Sequence, residues 1–105
     1  MESGLEPQPV AARSTHSAGG WVVYIIESEQ GLLYTGITTE PERRFREHAS
    51  GKGARWFRGR TPQRFVYLEA CADRAAASRR EAAIKRLPRA AKLALVAAAA
   101  TEGSP

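Results

Sequence analysis

Arg44, His48, Glu81 and two tyrosines, Tyr24 and Tyr34, are the residues of this 105-residue chain best suited to act together on a phosphodiester. Breaking such a bond requires a deprotonated nucleophile, neutralisation of developing charge and a stabilised leaving oxygen. Arg44 offers a fixed fork of donors for a phosphate. Glu81 is a hard oxygen ligand suited to one Mg2+ or Mn2+, which would keep further positions for water and phosphate. Such a metal would act as a Lewis acid beside the leaving oxygen. No second carboxylate stands at a matching place, which disfavours a two-metal site. Each group also has a plain structural rival. Tyrosines on short strands are common core residues, Glu81 and Lys85 form an ordinary i,i+4 pair, and Arg43 beside Arg44 leaves the choice of arginine open by one position.

Charge points to the same class of partner. Between positions 43 and 64 lie eight basic residues against the single acid Glu47, a local excess of +7 that exceeds the +5 of the whole chain. A concentrated basic segment attracts a polyanion, because each neutralised phosphate releases condensed counterions. Lys52, Arg55, Arg58 and Arg60 are the expected nucleic-acid contacts within it. Trp56 and Phe57 sit in the same run, where aromatic rings either stack on bases or pin the loop to the core.

Length and composition exclude other classes. The chain has room for one domain with one core. No apolar stretch approaches the ~18–20 residues of a membrane-spanning helix, and the start lacks the pattern of a signal peptide. Cys71 is the only cysteine, so neither an internal disulfide nor a cysteine zinc set can form, and a reducing, cytoplasmic setting is expected.

The elements that must position these groups can be read from residue patterns. Residues 1–20, rich in Pro, Gly, Ser and Ala, read as a disordered tail. WVVYIIE from Trp21 and LLYTGIT from Leu32 read as two antiparallel strands. A tight loop over 28–30 would set Tyr24 opposite Tyr34 and Val22 opposite Gly36, and a slip of one residue would separate the tyrosines onto opposite faces. In TTEPERRFREH, Thr39 and Glu42 have capping-box spacing and Pro41 suits a first helical turn. A helix over about 40–49 then puts Arg44 and His48 on one face, with Phe45 and Ala49 docking on the sheet. Residues 50–62 read as a loop with at most a short helical turn. QRFVYLEA is a third strand, with Phe65, Tyr67 and Glu69 on one face and Val66 and Leu68 on the other. Asp73 caps a helix that Pro88 ends, and a last helix runs to about Ala99, before a flexible end at 100–105. The expected fold is α+β: a small three-stranded antiparallel sheet flanked by helices, in the order β-β-α-β-α-α, with one domain over 21–99.

With these elements in place, the sequence resembles the GIY-YIG nuclease superfamily. Val22-Val23-Tyr24 is similar to the first motif with its glycine replaced, and Tyr34-Thr35-Gly36 to the second. Arg44 and His48 in RRFREH correspond to the family's helix-one pair, and Glu81 in SRREAAIK to its metal-binding glutamate. The likeness covers roughly residues 21–95 and looks closest to the small, stand-alone bacterial branch, whose YTGIT, ERR, EH, GKGA and RGR blocks also occur here.

The resemblance implies that Tyr24 orients or deprotonates water. Its ordinary pKa near ~10 then calls for a cationic or hydrogen-bonding neighbour, for which His48 and Lys52 are the candidates. Tyr34 would hydrogen-bond the phosphate or the attacking water, and Gly36, lacking a Cβ, would let the backbone approach the substrate. Two departures are visible. Val22 stands in place of the motif glycine, and the chain contains no asparagine, so the supporting Asn that some members carry after the glutamate is missing. The expected function is a metal-dependent endonuclease on DNA, structure-selective because so small a core grips few phosphates, in repair or recombination. RNA as substrate, a catalytically weak binding module, and a subunit active only with a protein partner are the alternatives.

Overall fold

Val22, Val23, Tyr24, Ile25 and Ile26 are all at most 1% exposed, so the first strand is covered on both faces. A strand in that position reads as a continuous apolar run without alternation, as WVVYIIE does. The computed structural model, which describes residues 20–102, explains the burial. Strand β1 (Trp21–Ser28) is the centre of a three-stranded antiparallel sheet of order β2-β1-β3, with β2 (Leu33–Thr38) and β3 (Pro62–Cys71) at its edges. Helix α1 (Pro41–Ala49) follows β2, and α2 (Arg74–Lys85) and α3 (Arg89–Glu102) follow β3. The class and element order are those the sequence implies. The expected tail lies outside the described residues except for Gly20, as do residues 103–105, and α3 runs on through Glu102. No helix among the described residues is long and apolar enough to cross a membrane.

Two apolar clusters sandwich the sheet. On one face Val23, Ile25, Tyr67 and Cys71 pack with Ala77 and Ile84 of α2 and with Leu95, Val96 and Ala99 of α3. On the other, Tyr24, Ile26 and Phe57 pack with Tyr34, Phe45, Trp56, Phe65 and Leu68. Helix α2 starts as expected, with the Asp73 carboxylate accepting the Ala76 N–H at 2.8 Å.

Four local expectations need correction. The hairpin loop spans Glu29–Gly31 instead of 28–30, because Gly31 is the residue able to take φ +82°. That moves the register by two residues: Tyr24 lies opposite Gly36, and Ile26 opposite Tyr34. A shift of two preserves the face, so both tyrosines still point the same way.

Helix α1 has no capping box. Its N-cap is Glu40, which makes no side-chain cap bond, and the Thr38 hydroxyl accepts the Glu40 N–H at 3.0 Å. Pro41, having no N–H to satisfy, reduces the need for a cap at this end. Ala49 is exposed, and α1 docks through Phe45 and His48 instead.

Strand β3 carries a bulge: Ile25 pairs with Tyr67 but Ile26 pairs with Phe65. Val66 is the extra residue, so Phe65 and Tyr67 fall on opposite faces of the sheet instead of one. Phe65 thereby joins Tyr24, while Tyr67 faces α2.

Candidate active site

The Tyr24 side chain is carried on the central strand and ends among groups from three other segments. Its hydroxyl lies 2.8 Å from Nε2 of His48, which α1 presents from four residues beyond Arg44. His48 is 1% exposed and its ring lies over Phe57 at a centroid distance of 4.4 Å. The Phe65 ring meets Tyr24 edge-on at 5.7 Å, a contact that exists because of the β3 bulge. The phenol has little room to move.

Arg44 is the second polar neighbour of Tyr24, its guanidinium close enough to pull the phenol's pKa down. Its Nη1 also donates to Oε1 of Glu47 at 2.9 Å. Arg43, more exposed, pairs with Glu40 and Glu47 on the outer side of the helix. Geometry therefore separates two arginines that composition could not. Glu47 is a participant that residue-type reasoning passed over; its i,i+3 spacing from Arg44 was the available signal. The Arg44 hydrogen bond holds the Glu47 carboxyl below the usual carboxylate range.

Burial dominates the electrostatics. Desolvation, with Tyr34 and Glu81 adding to it, pushes the Tyr24 phenol well above its ordinary range, and Arg44 offsets only part of this. Tyr24 is thus a neutral phenol in the free protein. Burial and then the nearby Arg44 charge lower His48 to about 4, so its imidazole is neutral at physiological pH. Lys52 is exposed on the turn after α1, its backbone N–H bonded to the Glu47 carbonyl.

Tyr34 is half-buried beside Tyr24, with ring centroids 6.2 Å apart, and packs on His48, Trp56 and Phe57. Gly36 has a more specific task than exposing backbone. A Cβ built there would fall 2.5 Å from the Tyr24 hydroxyl oxygen and 2.6 Å from Cζ. The space a side chain would fill holds the phenol. Because that phenol is buried and bonded to His48, it cannot swing aside freely. Gly36→Ala is expected to cost about 1–3 kcal/mol of stability, as overpacked sites do. Urea unfolding beside wild type checks this, and an unchanged midpoint would mean the phenol relocates without strain.

Glu81 on α2 is close enough to raise the Tyr24 pKa. Its Oε2 is 3.1 Å from Nζ of Lys85, which in turn stands 5.9 Å from the Tyr34 ring centroid. Among the described residues, no group of three or more His, Cys, Asp or Glu is gathered to hold an ion. The donor set is one partly exposed carboxylate, which fits a hard divalent cation that keeps most of its ligands as water and phosphate. Lys85 holds that carboxylate in the free protein.

Of the basic segment, Lys52, Arg55 and Arg58 are exposed. Arg60 is partly withdrawn: its guanidinium lies 4.6 Å from the Trp56 ring centroid, and Nη1 donates to the Trp56 carbonyl at 2.8 Å. Phe57, at 5% exposure, pins the loop, while Trp56 is partly open beside Tyr34. The loop enters a 3₁₀ turn at Arg55–Phe57 directly after a close pass over His48. There the Ala54 N–H donates to Nδ1 of His48 at 3.1 Å. The glycine before it, Gly53, has no room for a Cβ, which would collide with Nδ1 and come 2.8 Å from the His48 Cα.

Comparison with known proteins fits this geometry. The GIY-YIG catalytic domain family matches residues 20–94. A UPF0213 protein of Pseudomonas aeruginosa is 51% identical over 72 residues, 69% of each chain. One from Desulfotalea psychrophila is 53% identical over 79 residues, covering 74% of this chain and 72% of the relative. The solution structure of a UPF0213 protein from Bacillus halodurans superposes with a TM-score of 0.50 at 44% identity, over 81% of this chain and 87% of the other. With strands one and two supplying Tyr24 and Tyr34, α1 supplying Arg44 and His48, and α2 supplying Glu81, the chain belongs to the GIY-YIG catalytic-domain family, a family of nucleases, and groups within it with the UPF0213 proteins.

Proposed function

We propose that this protein is a metal-dependent endonuclease that hydrolyses phosphodiester bonds in DNA, selecting structure over sequence, in repair or recombination. The observation that carries the reading is the buried junction of Tyr24, His48 and Arg44, with Tyr34 and Glu81 beside it and exposed arginines leading to it. A solvated basic surface would bind a polyanion without such a centre.

Arg44, held by Glu47, would neutralise the scissile phosphate as charge develops on it. Tyr24 and Tyr34 would orient the attacking water by hydrogen bonding. Tyr24 holds its own proton in the free protein, so any transfer to it waits for the cationic environment that substrate binding brings. A divalent metal, Mg2+ or Mn2+, held by Glu81 would supply Lewis acidity beside the leaving oxygen. Lys52, Arg55 and Arg58 would carry the flanking phosphates, and Arg60 would present its donors over Trp56. Contacts of this kind would go to phosphates, which position a duplex without reading its sequence and so favour recognition by shape.

A second reading is favoured by two observations. Tyr24 is 1% exposed and Glu81 is neutralised by Lys85, so the free protein is a closed, resting centre. A binding module, or a subunit activated by a protein partner, would look the same at rest. Incubating the wild-type chain with branched, nicked and linear DNA, and with an RNA duplex, in Mg2+, Mn2+ or chelator separates the readings. The nuclease reading expects metal-dependent cleavage, strongest on branched or nicked DNA. Tight binding without cleavage on every substrate would replace it with the second.

A further inference from the structure

His48 makes two hydrogen bonds, and together they decide where its single proton sits. Nδ1 is approached by a backbone N–H, that of Ala54, which can only donate. Nδ1 must therefore offer its lone pair. A neutral imidazole then carries its hydrogen on Nε2, the atom 2.8 Å from the Tyr24 oxygen. His48 thus donates to Tyr24 and cannot take the phenol's proton. The Arg44 cation lies near the same phenol, with Nη1 bonded to Glu47. With the His48 N–H arriving on one side and a cation nearby, the phenol's own hydrogen must point away from both.

We propose that the Gly53–Ala54 turn is a positioning element for the site, locking His48 in the Nε2–H tautomer so that the Tyr24 hydroxyl hydrogen is turned away from His48 and Arg44, toward substrate. Gly53 is needed because any Cβ would collide with the imidazole, and its absence brings the Ala54 N–H within reach. Phe57, three residues on, stacks on the ring and blocks its rotation. The GKGA segment, whose lysine first suggested phosphate binding, therefore acts through its glycine and its backbone amide. The charged and titratable groups facing His48 are Tyr24 from β1, Tyr34 from β2, and Arg44 and Glu47 from α1. Arg44 adds to burial in keeping the ring neutral.

The catalytic consequence rests on the nuclease reading; the tautomer does not. Ala54→Pro is the sharpest test, since the backbone φ of −65° at this position suits proline while the N–H is replaced by a ring carbon that must push the imidazole off this contact. Long-range proton–nitrogen correlation spectra of the wild-type chain should show His48 protonated at Nε2 alone from about pH 8 to about pH 5. In Ala54→Pro the Nδ1–H form should appear, with cleavage reduced by about tenfold or more while DNA binding holds. Gly53→Ala should produce the same tautomer change by pushing the turn outward. An Nδ1–H tautomer or an imidazolium at neutral pH in the wild type would overturn the proposal. So would a folded Ala54→Pro protein with the wild-type tautomer. If the wild-type chain proves inactive on every substrate, the nuclease reading fails while the spectra still decide the tautomer.

Discussion

Glu81→Gln should abolish metal-dependent cleavage while leaving DNA binding close to wild type. The substitution preserves the side chain's length and removes the one negative charge offered to a cation, together with the ion pair to Lys85. Lewis-acid stabilisation by a bound metal is worth several kcal/mol, so the expected fall in rate is about 10²-fold or more. Stability should hardly move, because the pair is an exposed-side i,i+4 bridge of a kind worth little. Titration with Mn2+, followed by its relaxation effect on water, should lose its site in the variant. Lys85→Ala makes an informative companion: with its competitor removed, Glu81 should bind Mn2+ more tightly than in wild type. Undiminished cleavage by Glu81→Gln would refute the assignment of this carboxylate to the metal and would require another ligand.

The second large effect is expected at Tyr24. Tyr24→Phe keeps the ring against Phe65 and deletes the hydroxyl that meets His48 and Arg44. Loss of a group that positions or relays a proton lowers rates by about 10²–10⁴-fold. Stability should also fall, by about 1–3 kcal/mol, because the buried Nε2–H of His48 loses its partner. Tyr67→Phe is the control. Its hydroxyl donates to Glu69 at 2.5 Å on the opposite face of the sheet, in a cluster completed by Arg80. That substitution should affect stability alone. Equal losses of cleavage in both variants would show that the Tyr24 effect is structural and not local to the site. Arg44→Ala, compared with Arg43→Ala, tests the choice of arginine in the same assay: only the first should lower the rate.

Much of the architecture was legible in the residue order because it depends on local preferences. β-branched runs make β1 and β2, Pro41 and Asp73 start helices, and Pro88 separates the last two. The Arg44–His48 spacing places both on one side of a helix wherever that helix packs. The family blocks carried Tyr24, Tyr34 and Glu81 to the same reading. These are properties of nearest neighbours and helical or strand periodicity, and they survive without knowledge of the rest of the fold.

Other features arise only when distant segments meet. Whether a hairpin turns at Glu29 or Gln30 depends on which residue accepts a positive φ, and Gly31 decided it, exchanging Tyr34 for Gly36 opposite Tyr24. The Val66 bulge, which sends Phe65 to the site and Tyr67 away from it, is a feature of pairing with β1 and has no local signature. Which of Arg43 and Arg44 lies nearer the strand tyrosine depends on how α1 packs on the sheet. Residue types alone could name a phenol, an imidazole and a guanidinium as candidates. Their protonation required the fold, because burial and hydrogen-bond direction are set by neighbours remote in the chain: desolvation keeps Tyr24 a phenol, and the Ala54 amide selects the donor tautomer of His48.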